Sequence, residues 1–428
     1  FLMTGRRMSH GDRSHLAHYP VIIVGAGQAG LSISYCLTQR GIRHLVLERS
    51  QVGHSWRTQR WDSFCLVTPN WQCRLPGHPY AGSDPDGFML KADILDYVSA
   101  YATSFSPPLQ EGVEVKHIAA GSGGTRFMLE TNLGVFAADQ VVMATGPYHH
   151  PKIPAMAAGL ADDVVQLDAT RYRNPNALPP GAVMVVGSGQ SGCQIAEDLH
   201  LAGREVHLCV GSAPRVVRRY RGRDAVAWLE QIGHYDLPID RHPDGEAVRR
   251  KRNHYVTGRD GGRDIDLRKF AREGMRLHGR LRDIDAAGFT FDGDLSLNLD
   301  RADAASERIK GVIDAFITKE SINAPTEAPY SPPWQPGAAE AASTLRHQDA
   351  AISSIVWCGG FSLDYSYIAL PAFDETGYPH HTRGVSRDIA GLYFLGLPWM
   401  YTWGSGRFSG VGRDAEHLAA KIHELSLV

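Results

Sequence analysis

The sequence predicts an α/β protein of two Rossmann-like units, the second set into the first. Three observations carry this. VIIVGAGQAGLSISYCL (Val21–Leu37) runs from a β-branched strand through Gly-x-Gly-x-x-Gly into a helix. VMVVGSGQSGCQIAEDL (Val183–Leu199) repeats that order. Two further apolar strands end in small residues, QVVMATG at 140–146 and SIVWCGGF at 354–361. Such a strand closes a unit and hands the chain onward, so the first unit is expected to break off near His150 and resume near Ala350.

The bulk figures fit a soluble globular protein. The chain has 428 residues, 43% apolar and 21% charged, with a net charge of −2, enough for two or three domains. A nearly neutral chain offers no global field for nucleic acid or an anionic membrane. No apolar stretch is long enough to span a bilayer. Residues 1–18 are polar and His-rich and read as a disordered leader, with folding from Tyr19. The six cysteines form no C-x-x-C pair and have no zinc-ligand spacing, and adjacent histidines such as His149–His150 rarely chelate one metal, so no metal site is expected. A cytoplasmic location is expected.

The first glycine turn is followed by the strand HLVLE, ending at Glu48, at about the 20-residue spacing at which a carboxylate meets an adenosine ribose. That completes a dinucleotide fingerprint: Gly25, Gly27 and Gly30 shape the turn, Gln28 and Ala29 open the helix, and Glu48 takes the ribose. Thr145 and Gly146 close the unit, and Val115 joins the cofactor-contact candidates. In the second unit Gly187, Gly189, Gln190, Ser191 and Gly192 play the same parts. Its matching strand, REVHLCV, ends in Gly211-Ser212 with no acid, and Arg215, Arg218 and Arg219 follow. A missing carboxylate beside arginines suits a 2′-phosphate, hence NADPH at Ser212, Arg215 and Arg218; the alternative is a solvated basic face. The first cradle is then expected to hold FAD, so that a nicotinamide can deliver hydride to a flavin. The expected domains are 19–150 with 345–428 for FAD and 151–344 for NADPH. Within the latter, an Arg-rich tract from Arg215 to about Ala305 has weak helical patterning. The five prolines of APTEAPYSPPWQPG (Ala324–Gly337) demand a long loop.

GAGQAG, GHSWR (Gly53–Arg57), VTPN (Val67–Asn70), VVMATGPYHHPKIP, VVQLDATRYRNP, GSGQSG and GLYFLG (Gly391–Gly396) together resemble the class B flavin monooxygenases, from Val21 to about Ile422. That family includes the flavin-containing monooxygenases, the YUCCA-type indole-pyruvate enzymes and the Baeyer–Villiger enzymes. The tail YTWGSGRFSGVG is similar to that of a bacterial group of flavin-dependent oxidoreductases. The resemblance implies that Trp56 and Arg57 lie against the flavin, that Asn70 brings an amide near it, with Gln72 a weaker candidate, and that Gly396 belongs to the cofactor shell. A plain turn role after Pro69 is the alternative for Asn70. It also implies oxygen transfer from O2 through an adduct at flavin C4a. Where the family carries a histidine ahead of Tyr-Arg, this chain has Asp168 ahead of Tyr172-Arg173; that pair favours the monooxygenases over the Baeyer–Villiger branch.

Glycines crowd Gly404–Gly412, and a helix starting near Val411 would turn its positive end toward the flavin pyrimidine. Trp399, Tyr401 and Trp403 either line an aromatic substrate pocket or pack under a loop. The expected activity is an FAD- and NADPH-dependent monooxygenation of a small aromatic or heteroatom-containing substrate by O2. The alternatives are an NADPH-dependent flavin reductase and a non-catalytic nucleotide sensor. Neither nucleic acid nor membrane is expected as a partner, and a homodimer is the assembly allowed for.

Overall fold

In a computed structural model, residues 17–427 are described; most of the expected leader lies outside them, and its last two residues, Ala17 and His18, already belong to a strand. Along the chain come β1 (Ala17–Val24), α1 (Gln28–Gln39), β2 (His44–Glu48), β3 (Leu109–Glu111), β4 (Gly134–Met143), β5 (Val165–Asp168), β6 (Ala182–Val186), α2 (Gln190–Leu201), β7 (Val206–Cys209), β8 (Arg276–His278), α3 (Leu295–Lys319), β9 (Ile352–Trp357), β10 (Leu392–Phe394) and α4 (Val411–Ser426).

The first sheet places β10, β4, β1, β2 and β3 side by side, all parallel, with antiparallel strands added at its margins. The second has five parallel strands in the order β5–β9–β6–β7–β8. Parallel strands covered on both faces read as unbroken apolar runs. Val183, Met184 and Val185 of β6 and Ile355 and Val356 of β9 are accordingly sealed from solvent. In each unit the loop after the Gly-x-Gly turn feeds a helix back against the next strand, the right-handed crossover expected of this architecture. The fold is thus α/β with two Rossmann-like domains.

The second sheet corrects the expected boundary at 345. SIVWCGGF does not reopen the first domain; β9 lies between β5 and β6 in the centre of the second sheet. It closes the second unit as QVVMATG closes the first. The chain returns only after Phe361. There the two crossings lie together: Phe361 pairs with Pro151 and Ser362 with His150 in a short antiparallel ribbon. Asp364 ties that ribbon down, accepting from His150 at 2.9 Å and donating its backbone N–H to His149 Nδ1 at 2.8 Å.

The Arg-rich tract holds short helical turns, strand β8 and the first part of the 25-residue α3. Leu295, Leu299, Ala302, Ser306, Ile313 and Ile317 are buried at three-, four- and seven-residue steps along α3, one helix face. The proline-rich stretch is the expected irregular loop.

The candidate cofactor cradles and the junction between them

The two glycine turns have nearly the same geometry. Gly25 has φ +104° and Gly187 +109°, a region open to glycine. A Cβ on Gly30 would stand 1.8 Å from the Gly25 carbonyl oxygen, and one on Gly192 1.8 Å from that of Gly187. The third glycine therefore lets each helix lie against its own turn. Gly27 and Gly189 cap α1 and α2 with φ/ψ of −77°/−174° and −72°/−174°. A Cβ at either would meet nothing within 4 Å. Each helix N-terminus thus faces open space with its N–H groups and positive dipole end, the arrangement that receives a pyrophosphate. The strand beside each turn differs: Gly25 abuts Ala144, Gly187 abuts Cys358.

Strand β2 delivers Glu48 to the first turn. Its carboxylate accepts from Ala26 N at 2.8 Å and Ser50 N at 2.9 Å. In the second unit Val210 holds the register position of Glu48, so no acid stands there, and next to it Gly211 N donates to the Ser188 hydroxyl at 2.8 Å. Val113, two residues before Val115, donates its N–H to the Glu48 carbonyl at 2.9 Å, and Val115 itself pairs with Thr131. Thr145 bonds His149 Nε2 at 3.1 Å. Gly396 approaches α1 so closely that a Cβ would meet Ala29 Cβ at 2.9 Å. Gln190, at the start of α2, donates to the Val256 carbonyl at 2.6 Å, while Ser191 is half-buried beside it and Ser212 is exposed.

Gln28 links three segments of the first cradle. Its Nε2 donates to the Gly406 carbonyl at 3.0 Å and its Oε1 accepts from Trp56 Nε1 at 3.2 Å. Trp56 in turn stacks on Phe408, with centroids 5.4 Å apart. Arg57, expected beside Trp56 at the flavin, is instead exposed. The arginine over Trp56 is Arg60, its guanidinium carbon 5.0 Å from the ring centroid. It stands just past the end of the short helix His54–Thr58 that carries Trp56.

Other assignments are corrected by burial. Arg215 is inside the protein, its Nε donating to Asp303 at 2.7 Å and its guanidinium over Tyr330. Arg218 is equally buried and bonds Asp224, the Thr257 carbonyl and the Val67 carbonyl. Neither head is free for a 2′-phosphate. The cations that do reach the end of β7 are Arg252 and Arg280. Arg252 Nη1 and Arg280 Nε lie 3.6 and 4.0 Å from the position of a Cβ on Gly211. No spacing rule points to them, because they arrive from distant loops.

Asn70 is a loop brace. Its Nδ2 donates to the Asp84 carbonyl at 2.9 Å and its Oδ1 accepts from Met89 N at 2.7 Å, so both ends of the amide are engaged by backbone groups. Gln72 keeps one end open: Nε2 donates to Glu230 at 3.3 Å, but the buried Oε1 finds no partner. Ser409 Oγ is orphaned likewise, and Arg74, two residues after Gln72, donates to the Ser409 carbonyl. These orphaned acceptors flank the start of α4. Asp414 in its first turn is 1% exposed, and burial pushes its carboxyl up to about 6, against the pull of Ser405, Arg383 and Arg413. Buried Val411 spends its N–H on the Arg407 carbonyl at 3.0 Å.

The inserted unit covers the tail. Ile239 N bonds the Tyr401 carbonyl at 2.7 Å, Arg249 bonds the Trp399 carbonyl, and Tyr235 packs on Trp403 with centroids 4.5 Å apart. Trp399 is buried and Tyr401 lies under Arg383, so all three aromatic residues of the tail meet the inserted unit, Trp399 and Tyr401 through their carbonyls and Trp403 through its ring. Asp198 ties the units together: its carboxylate accepts from Ser63 at 2.6 Å, Tyr172 at 2.7 Å and Arg259 at 2.8 Å. Arg173 clamps the Thr58 carbonyl. Asp168 accepts from Thr170 N and its hydroxyl, capping the turn that launches Tyr172.

Open space before two helix starts, a carboxylate at one ribose position and arginines at the other fit FAD and NADPH, the cofactors of this enzyme class. Comparison with known proteins agrees. Residues 22–229 match the family described as pyridine nucleotide-disulphide oxidoreductase. An uncharacterised CzcO-like oxidoreductase of Geobacillus kaustophilus is 33% identical over 406 residues, covering 94% of this chain and 97% of its own. Indole-3-pyruvate monooxygenase YUCCA4 of Oryza sativa subsp. japonica is 31% identical over 196 residues, 42% of this chain and 44% of its own. A flavin-containing monooxygenase structure from Stenotrophomonas maltophilia shares the fold, with a TM-score of 0.67 at 18% identity, over 96% of this chain and 100% of that one. With two matched cradles and a relative alike along nearly its whole length, the chain belongs to the class B flavin-dependent monooxygenase family, among its CzcO-like oxidoreductases.

Proposed function

We propose that this flavin-dependent oxidoreductase is an NADPH-driven monooxygenase that places one oxygen atom of O2 on a small substrate at the junction of its two domains. The observation that carries the reading is the pair of matched cradles with opposite chemistry at the ribose position. Glu48 suits a free 2′-hydroxyl and would repel a phosphate; Gly211 flanked by Arg252 and Arg280 suits a 2′-phosphate. The first cradle therefore takes FAD and the second NADPH.

Flavin bound in the first cradle supplies two-electron acceptance from NADPH and reactivity toward dioxygen. The chain supplies the rest. The N-termini of α1 and α2 bind the two pyrophosphates. Gln28 orients Trp56, and the Trp56–Phe408 stack keeps water from the adjoining face. Gln72 Oε1, buried and unpartnered, is set to accept a hydrogen bond from a ligand N–H. The start of α4 directs its dipole toward developing negative charge. A dithiol relay, the alternative suggested by the matching family's description, lacks support. All six cysteines are unpaired, and burial pushes the thiols of Cys36, Cys73 and Cys358 up to about 12. Such thiols stay protonated and unreactive at neutral pH.

The decisive measurement follows O2 uptake and NADPH oxidation by the FAD-loaded enzyme across aromatic amines, sulfides and 2-oxo acids, with product mass read for a gain of one oxygen. Dye reduction under anaerobiosis with no oxygenated product would overturn the reading. Cofactor choice has its own check. Arg252→Ala with Arg280→Ala should lower the NADPH-to-NADH ratio of kcat/KM by about 10- to 100-fold, the worth of one or two charge-assisted hydrogen bonds. Arg215→Ala should leave that ratio alone and instead destabilise the protein by about 2 kcal/mol, the worth of one charge-assisted hydrogen bond to Asp303, which keeps Arg268 as its remaining partner.

A further inference from the structure

Most buried arginines here are matched to carboxylates: Arg215 to Asp303, Arg218 to Asp224, Arg268 to Asp300 and Asp303. Arg60 and Arg407 are not. Both are half-buried, and among the described residues neither has an acid within ion-pair distance. Arg60 spends one donor on the neighbouring Gln59 carbonyl at 2.9 Å, and its guanidinium lies 5.0, 5.5 and 5.8 Å from the ring centroids of Trp56, Phe64 and Tyr148. Arg407 lies 4.0 Å over Trp403, bonds the Trp403 carbonyl, and donates Nη2 to Asn253 of the inserted unit at 3.0 Å. Burial pulls both guanidinium groups below the ordinary arginine value, with the Tyr148 phenol the main opposing influence on each. A desolvated cation without a counter-charge is costly to keep. It is retained where an incoming anion completes it.

The location narrows that anion. Arg60 lies over Trp56, the ring that stacks on Phe408, and Arg407 lies over Trp403; the Tyr148 phenol is near enough to act on both guanidinium groups, which brings the two cations to one place beside the first cradle. The anions of the dinucleotides are already provided for: each pyrophosphate has a helix start, and the 2′-phosphate has Arg252 and Arg280. A third anion is left, and the walls around it are aromatic rings, suited to a flat apolar body.

We propose that Arg60 and Arg407 bind the carboxylate of the substrate, a small aromatic acid whose ring rests among Trp56, Phe64, Tyr148 and Trp403. The inference rests on the monooxygenase reading for the word substrate, and on the two uncompensated cations for the carboxylate.

The test uses the FAD-loaded enzyme and a matched pair of probes, 3-phenylpropionate and its neutral amide, with binding followed calorimetrically. The acid should bind about 10- to 100-fold more tightly than the amide. Arg60→Gln and Arg407→Gln should each erode that preference, with FAD content and NADP+ affinity unchanged; Arg60→Lys, which keeps the charge, should retain part of it. Equal binding of acid and amide by the unaltered enzyme overturns the proposal. So does a loss of NADP+ affinity in step with the acid, which would make these cations phosphate ligands. Oxygenation of neutral substrates only, with no acid binding, would sink this proposal and leave the monooxygenase standing. Tight acid binding without any oxygenated product would do the reverse.

Discussion

At the level of single residues, Asp414 offers a measurable consequence of burial. Its carboxyl is raised to about 6, against about 3.9 in an unfolded chain. Between these values the folded protein holds a proton that the unfolded chain has released, so the group's contribution to stability declines as pH rises through about 4 to 6. Above 6 the full deficit stands, two units at about 1.4 kcal/mol each, or about 3 kcal/mol. Asp414→Asn should therefore be more stable than the parent at about pH 7.5 by about 2–3 kcal/mol, with the margin falling by about half at pH 5. Urea unfolding of the FAD-loaded protein at both values checks this, and a margin independent of pH would exclude the burial explanation. Glu48→Gln is a second residue-scale case. The amide keeps the shape but replaces one acceptor with a donor facing Ala26 or Ser50, so flavin retention should weaken by about 10-fold or more, read by fluorescence of released flavin.

At the level of elements, the glycines of one turn divide their labour. Gly27 faces open space, whereas a Cβ on Gly30 would sit 1.8 Å from a backbone oxygen. Gly27→Ala should fold with a near-normal melting temperature yet lose FAD, since its methyl fills the phosphate's place. Gly30→Ala should fail to accumulate as folded protein. Far-ultraviolet circular dichroism with flavin absorbance separates the two outcomes. This is also the scale at which the sequence was most legible. Strand, turn, helix and the acid Glu48 are local features with fixed spacing, and they stand where the spacing put them. SIVWCGGF misled because an apolar strand ending in small residues fits the closing place of either sheet; its neighbour is decided by long-range pairing that a one-dimensional pattern does not carry. Arg215 and Arg218 misled similarly. Charge was visible, but the partners Asp303 and Asp224 that draw it inward were not. Arg60 was within reach of the sequence, since it follows Trp56 by four residues in the same motif. Arg252, Arg280 and Arg407 could not, because loops bring them in from far along the chain.

At the level of the whole molecule, the two domains are joined by more than a linker. Trp61 of the first domain is 3% exposed and belongs to the hydrophobic core of the second, and Asp198 gathers donors from the first domain, the connecting segment and the insert. Asp198→Ala would strand the Arg259 cation and two hydroxyls together. It should cost about 3 kcal/mol or more and split a single thermal transition into two, one for each unit; calorimetry of the FAD-loaded protein shows which. A single transition shifted downward would mean that the buried Trp61 contact and the tail contacts couple the domains without the Asp198 clasp.

The ribbon of His150–Pro151 against Phe361–Ser362 gives this arrangement its evolutionary character. Because the chain leaves and re-enters the flavin-binding half at adjacent points, the nicotinamide-binding half is a cassette with both its leads on one connector. An insertion or deletion within its loops leaves the register of every strand in the host sheet unchanged, because both crossings are fixed at that ribbon. Exchanging the cassette would require matching the plug around Trp61, the Asp198 clasp and the contacts that cover the tail.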